Sequence, residues 1–427
     1  MKRLLIFSGI GILVLALILV GLAAAGTAPQ NTTSVSGEPV AGDAHPDTPD
    51  GAGNVAAGNN RFAFDLYRQL ATDPAYAGGN LFFSPYSISS ALAITYEGAR
   101  GTTADEIGAV LHLPTNDTLR REGFAALNAA LNRGSGNYTL RTANALWAEE
   151  TYSFLPDYID VAARWYGANV TNLDFIENPE GSRETINRWV EERTEDRIRD
   201  LLPPNSIDPL TRLVITNAIY FKGTWAKQFD ANETREEEFR VGPNEMVLAP
   251  MMHGDAAYPY AETETLQVLE MPYAHESGNG LAMLVLLPKE DSLTAAEEAL
   301  DAERLAGLRE SLIAQNVRIS FPKFTLDVGY SLPPVLAAMG MPTAFADDAA
   351  DLSGMDGTKD LLITGVFHKA FVDVNEEGTE AAAATGVIGG RGITPVFRAD
   401  HPFVFLITEK DSGAILFMGR VVNPEGA

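Results

Sequence analysis

"HKAFVDVNEEGTEAAAATGVIGGRGIT" spans His368 to Thr394. Within it four alanines, Ala381 to Ala384, stand in a row, and one arginine, Arg391, stands between glycines. Read with period two, Thr379, Ala381, Ala383, Thr385, Val387 and Gly389 share one face; Glu380, Ala382, Ala384, Gly386 and Ile388 share the other. The first face is small or β-branched and carries no charge, so a strand of this kind can slide into a sheet without clashes. An alanine run alone favours helix, but the flanking glycines and threonines weaken that preference. Exposed, the segment is conformationally uncommitted. On composition alone it reads first as a flexible Ala/Gly loop with no special role, so the surrounding sequence has to decide.

The chain has 427 residues and is 46% hydrophobic, enough for a large core. Its 57 Asp and Glu against 31 Lys and Arg give a formal net charge of −26. Such a field repels a phosphate backbone, which argues against nucleic acid as a partner. No basic run suggests a polyanion site, and the adjacent Arg120 and Arg121 read as a solvated helix face. The absence of cysteine removes disulfides, thiolate catalysis and cysteine-ligated metals.

Lys2 and Arg3 precede an apolar run from Leu4 to Ala25, so residues 1–25 read as an export signal or a retained membrane anchor. Either places the protein outside the cytoplasm, secreted or anchored, and touching a membrane only through that segment. Residues 26–55, rich in Gly, Ala, Pro, Thr, Asn and Asp, read as a disordered linker, and residues 56–427 as one folded domain.

Inside that domain Phe62, Leu66, Tyr67 and Leu70 recur at helical spacing. Ser84-Pro85 predicts a helix start, and Thr103 to Glu106 has the form of a capping box. Ile186 to Leu202 again has helical spacing. Short apolar runs at Leu213–Phe221, Leu266–Tyr273 and Leu281–Pro288 predict strands, and Val317–Val328 alternates. "PFVFLITEKDSGAILFMGRVV", Pro402 to Val422, predicts two strands joined by a turn at Asp411–Gly413. Helices early and strands late argue an α+β fold.

No enzyme motif is found. There is no G-x-S-x-G elbow, no H-E-x-x-H, no paired-histidine spacing and no phosphate loop. The six histidines are scattered. No metal or cofactor site is read, although a Ser–His pair assembled only in space stays open. Five N-x-S/T sequons, at Asn31, Asn116, Asn137, Asn169 and Asn232, are short enough to arise by chance.

"NLFFSPYSISSALAITYEGARGTTADEI" (from Asn80), "LVITNAIYFKGTWAKQFDANETREEEF" (from Leu213), the opening stretch and "HPFVFLITEKDSGAILFMGRVVNP" (from His401) occur in the order that resembles the serpins, the serine-protease-inhibitor superfamily. The resemblance covers about residues 56–425 and is to an inhibitory, prokaryotic-looking member. It implies an α+β fold of three β-sheets with eight or nine helices and an exposed reactive loop. A protease cuts the loop and becomes acyl-linked to it; the loop then inserts into the central sheet and traps the enzyme. The chain is thus expected to be an inhibitor rather than an enzyme, without cofactor and monomeric, with a serine protease as partner.

Glu376, Glu377, Gly378, Thr379, Glu380, Ala381, Ala382, Ala383 and Ala384 match the hinge of inhibitory serpins, with Thr379 the first side chain to enter the sheet. Counting back from the "PFVF" strand places the scissile bond at Arg391-Gly392; counting forward from Glu376 places it at Gly392-Ile393. Arg391 is preferred because a guanidinium pairs bidentately with an acidic specificity pocket, which points to a trypsin-like target. Ser84, Ser87, Asn217 and His368 match the polar cluster beneath the central strands, and Trp225 matches the tryptophan at the top of the sheet. The alternatives are a non-inhibitory serpin-fold binding or chaperone protein, and an inhibitor of a cysteine protease through the same acyl chemistry.

Overall fold

The computed structural model describes residues 51–132, 138–275, 280–290, 292–377 and 394–426. The hydrophobic N-terminal run, Gly378 to Ala384, Arg391 and Gly392 lie outside them. Among the described residues no helix is long and apolar enough to cross a membrane.

The chain enters the fold through α1 (Gly51–Thr72). The predicted linker therefore ends about five residues early, and Val55 is already buried. The glycine and alanine of residues 51–55 read as a tether but serve packing. A Cβ at Gly123, on α4 (Asp117–Asn132), would collide with the Gly51 carbonyl oxygen and with Val55. Small residues are what allow α1 and α4 to lie this close.

After β1 (Leu81–Phe83), α2 (Pro85–Gly98) starts as expected: Ser84 is its N-cap and accepts from the Ser87 amide, and Pro85 occupies the first turn. Nearly every residue of α2 is buried, so it runs through the core, and its serines and alanines keep it thin. The capping box predicted at Thr103 does not form. α3 (Gly101–Val110) begins two residues earlier, and both box residues turn to other elements. Thr103 Oγ1 accepts from the Asp351 amide, while Glu106 accepts from the amide and hydroxyl of Thr343.

On α4 the Arg120–Arg121 pair is not a solvated face. Arg120 is buried, lies over the Tyr96 ring, and bonds Glu97 and Asp117. Arg121 takes the other oxygen of Glu97, and Tyr166 donates to the same carboxylate. Periodicity could not reveal this, because the carboxylate that neutralises both arginines comes from another helix.

β2 (Tyr138–Glu149), α5 (Pro156–Tyr166), β3 (Asn169–Leu173), α6 (Pro179–Arg193) and β4 (Leu213–Gly223) follow. The helix read from Ile186 to Leu202 stops at Arg193, because Glu195, Asp196 and Asp200 take left-handed backbone. Then come β5 (Arg235–Gly242), β6 (Glu245–Glu262), β7 (Leu266–Pro272) and β8 (Leu281–Pro288). The short α7 (Thr294–Glu298) and α8 (Ala302–Glu310) lead to β9 (Ile313–Pro322) and β10 (Phe324–Ser331). These two strands divide the run that alternated from Val317 to Val328; the break falls at Lys323, and the halves join different sheets. α9 (Pro333–Met339), α10 (Ser353–Asp356), β11 (Ile363–Val374), β12 (Val396–Arg398), β13 (Phe403–Glu409) and β14 (Ile415–Val421) complete the order. Among the described residues there are ten α-helices, beyond the expected eight or nine because one-turn pieces such as α10 are counted.

The described strands form two hydrogen-bonded sheets rather than three. One is β10-β11-β4-β2-β3; the other is β1-β14-β13-β8-β7-β6-β9-β12, with β5 also on β6. The 18-residue β6 joins what were expected to be two sheets. Its start pairs with β5, its middle with β9 and its end with β7. The main core fills the space between the sheets and helices. A second core of Trp147, Ile186, Val190, Ile198, Leu202, Val214 and Ala218 places α6 and the turns after it on the other face of the five-stranded sheet.

Candidate functional site: the seam between two central strands

In the five-stranded sheet β11 lies directly beside β4, and the two run parallel. Each has an antiparallel neighbour on its far side, β10 and β2. His368 of β11 and Asn217 of β4 are register partners. Their side chains hydrogen-bond across the seam, His368 Nδ1 to Asn217 Oδ1. His368 Nε2 accepts the Ser84 amide at 3.0 Å. The proton is therefore on Nδ1, and the ring is neutral. Burial pushes the imidazole down to about 3, against the smaller opposing effect of its Asn217 bond.

The rest of the cluster closes around this pair. Asn217 Nδ2 donates at 2.6 Å to Ser87 Oγ and at 2.6 Å to Asn144 Oδ1. Ser87 Oγ donates to Asn144 Oδ1 at 3.1 Å, and Ser84 Oγ donates to the Leu416 carbonyl at 2.6 Å. All four sequence-predicted residues thus meet in one network that joins β4, β11, α2 and β14.

Two members were missed. Asn144 sits at a core-facing position of β2 between Leu140 and Leu146, and a polar residue on the apolar phase of an alternating strand was the available signal. Tyr330, on β10, stacks on His368 and accepts the Phe82 amide at 3.1 Å. Nothing local marks Tyr330, since an aromatic residue is ordinary in a strand.

The top of the seam is closed by Trp225, just beyond β4. Its Nε1 donates to the Asn375 carbonyl at 3.0 Å, and its ring stacks on Tyr273 at 4.5 Å. Phe221, Trp225, Tyr273, Val372, Asn375 and Glu377 line a narrow cleft there. Glu376 is clamped next to it: Lys323 Nζ lies 2.7 Å from one oxygen, and Thr234 Oγ1 donates to the other at 2.6 Å. Burial opposes ionisation of Glu376, but these two partners hold its carboxyl below the usual range. Lys323→Met therefore removes the cation while leaving the aliphatic stem. The expected result is a loss of about 1 kcal/mol, read as a lower denaturant midpoint at pH 7.

A Ser–His arrangement does assemble in space. Ser320 Oγ is 3.0 Å from His253 Nδ1, and His253 Nε2 is 3.0 Å from Glu237. Ser320 is only 6% exposed, and Glu237 is shared with Arg398 at 2.8 Å. The trio ties β9, β6 and β5 together, with the serine buried among them. Among the described residues no group of His, Asp and Glu could hold a metal ion.

The family model for "Serpin (serine protease inhibitor)" matches residues 57–424. The chain is a serpin. An uncharacterized serpin-like protein of Thermococcus kodakarensis is 43% identical over 373 residues, 86% of this chain and 85% of that one. The leukocyte elastase inhibitor of Bos taurus is 42% identical over 383 residues, 87% of this serpin and 99% of the relative. The crystal structure of uncleaved ovalbumin superposes with a TM-score of 0.79 at 32% identity, covering 87% of this serpin and all of that chain. Seen against the serpin family, the α+β fold of packed sheets and helices is as expected from the sequence.

Proposed function

We propose that this serpin is a suicide-substrate inhibitor of a trypsin-like serine protease outside the cytoplasm, not an enzyme in its own right. The observation that carries the reading is the bare parallel contact of β11 with β4. A segment that follows β11 and folds back into the seam would run antiparallel to both neighbours. One parallel pairing is exchanged for two antiparallel ones, which are the more stable per residue. The cluster on His368 and Asn217 supports a seam that stays shut until that exchange, because parting the strands breaks their mutual bond.

The protease serine attacks the carbonyl carbon of Arg391, and the amine of Gly392 leaves. The loop is then acyl-linked to the enzyme, and insertion carries the enzyme away before water completes the cycle. The bovine relative is named for elastase. Arg391 supports a different preference, since a guanidinium needs an acidic pocket and elastase offers a small one. The apolar run at Leu4 to Ala25 fits a target met after export.

Incubation with trypsin followed by a denaturing gel is the test. The expected result is a covalent high-mass band and a released fragment beginning at Gly392. Clean cleavage without that band would remove the trapping step.

A further inference from the structure

The two ends of the loop are fastened to one short piece of chain. Before the loop, Glu376 accepts from Thr234, the residue preceding β5. After it, Arg398 of β12 is paired at 2.8 Å with Glu237 of β5. A protease held on a loop between these two anchors would lie beside the β5–β6 hairpin.

The hairpin has two unlike faces. Phe239 and Ala249 point inward and are fully buried. The outward face follows from the register, with Glu236 opposite Pro250, Glu238 opposite Leu248, and Arg240 opposite Met246. Met246 and Leu248 are 56% and 57% exposed, among the most exposed large apolar side chains described. Glu236 and Glu238 are exposed on the same face, and the exposed Asp230, Glu233 and Glu245 border it. An exposed apolar pair flanked by more acidic than basic groups, with Arg240 half-buried beside Met246, is what a partner-binding patch looks like.

We propose that this face, Glu236, Glu238, Met246 and Leu248, is a second contact surface for the target protease, selecting one with basic and apolar surface beside its active site. This deepens the inhibitor reading above and depends on it. The loop arginine distinguishes one specificity pocket from another, while the hairpin distinguishes among proteases that share that pocket. Opposite charge across such a surface acts mainly on the association rate.

Cationic and anionic trypsin share a specificity pocket and differ in surface charge, so they are the probes. Association rate constants for covalent complex formation are measured with the full chain at low salt. Glu236→Lys/Glu238→Lys is compared with an equal charge change on α8, Glu303→Lys/Glu310→Lys. The hairpin variant is expected to slow cationic trypsin about tenfold and to speed the anionic form, with the α8 variant changing either much less. Met246→Ser/Leu248→Ser, which keeps the charge, is expected to slow both trypsins alike.

Equal effects of the two charge variants would mean that only net charge matters, and would overturn the proposal. So would unchanged rates in both hairpin variants. Sedimentation showing a dimer that Met246→Ser/Leu248→Ser dissociates would assign the face to a second copy of the chain instead. If neither trypsin cleaves or traps the wild type, the Arg391 reading falls and takes this one with it. Trapping with no hairpin effect sinks this proposal alone.

Discussion

Thr379→Arg is expected to convert the serpin from an inhibitor into a substrate. Under the proposed mechanism a strand entering between β11 and β4 would meet core-facing neighbours at Val372 and Phe221, then at Ala370 and Ile219, all buried. No carboxylate stands on those positions. An arginine carried into that slot is an unpaired charge in an apolar interior, at a cost of several kcal/mol. Each 1.4 kcal/mol on the insertion barrier shifts the partition between trapping and hydrolysis about tenfold. Arg391 is twelve residues further along, so the protease still reads the same bond. The covalent band is expected to vanish, the moles of serpin consumed per mole of protease to rise at least about tenfold, and the fragment starting at Gly392 to persist. Undiminished trapping would show that the hinge does not enter the sheet.

His368→Ala is expected to open the seam. It orphans Asn217 Oδ1 and the Ser84 amide, both buried, at about 1–3 kcal/mol each, before any cavity is counted. The same residue sets a pH dependence. Its folded value is about 3, against 6.5 for a solvated imidazole, so the unfolded chain binds the extra proton between those limits. Stability from this group is complete above about pH 6.5 and is lost as pH falls toward 3. Between pH 7 and pH 5 the loss is about 2 kcal/mol. His368→Gln retains one donor and one acceptor but cannot titrate. Its first denaturant transition is expected to be flatter in pH over that range than the wild type's. Parallel pH profiles for the two proteins would put the titration elsewhere.

Much of the site was legible because it depends on residue type at local positions. A Ser-Pro pair announces the start of a helix whatever surrounds it, and α2 begins there. The polar residues Ser84, Ser87, Asn217 and His368 were picked out through the family resemblance, and the fold brings them together. Local signals failed where a partner from elsewhere changed a residue's role. Arg120 looks solvated until Glu97 of another helix neutralises it, and Thr103 looks like a cap until Asp351 claims its hydroxyl. Lys323 sits unmarked in an alternating run, yet the chain changes sheets there, and its ammonium meets Glu376.

By itself the sequence determined the strands β4, β7, β8, β13 and β14, and that a small-residue stretch with an arginine stands before the last two strands; β2, β3, β5, β6 and β11 came only with the structure. Periodicity and side-chain size carry that information within a few residues. Only the tertiary structure decided that β11 lies against β4 with Asn217 and His368 in register, although 151 positions separate them. It also decided that Thr234 and Glu237 fasten both ends of the loop to one hairpin. A strand's pattern says which face it buries. Which neighbour it takes is set by packing over the whole core, and no local pattern encodes that.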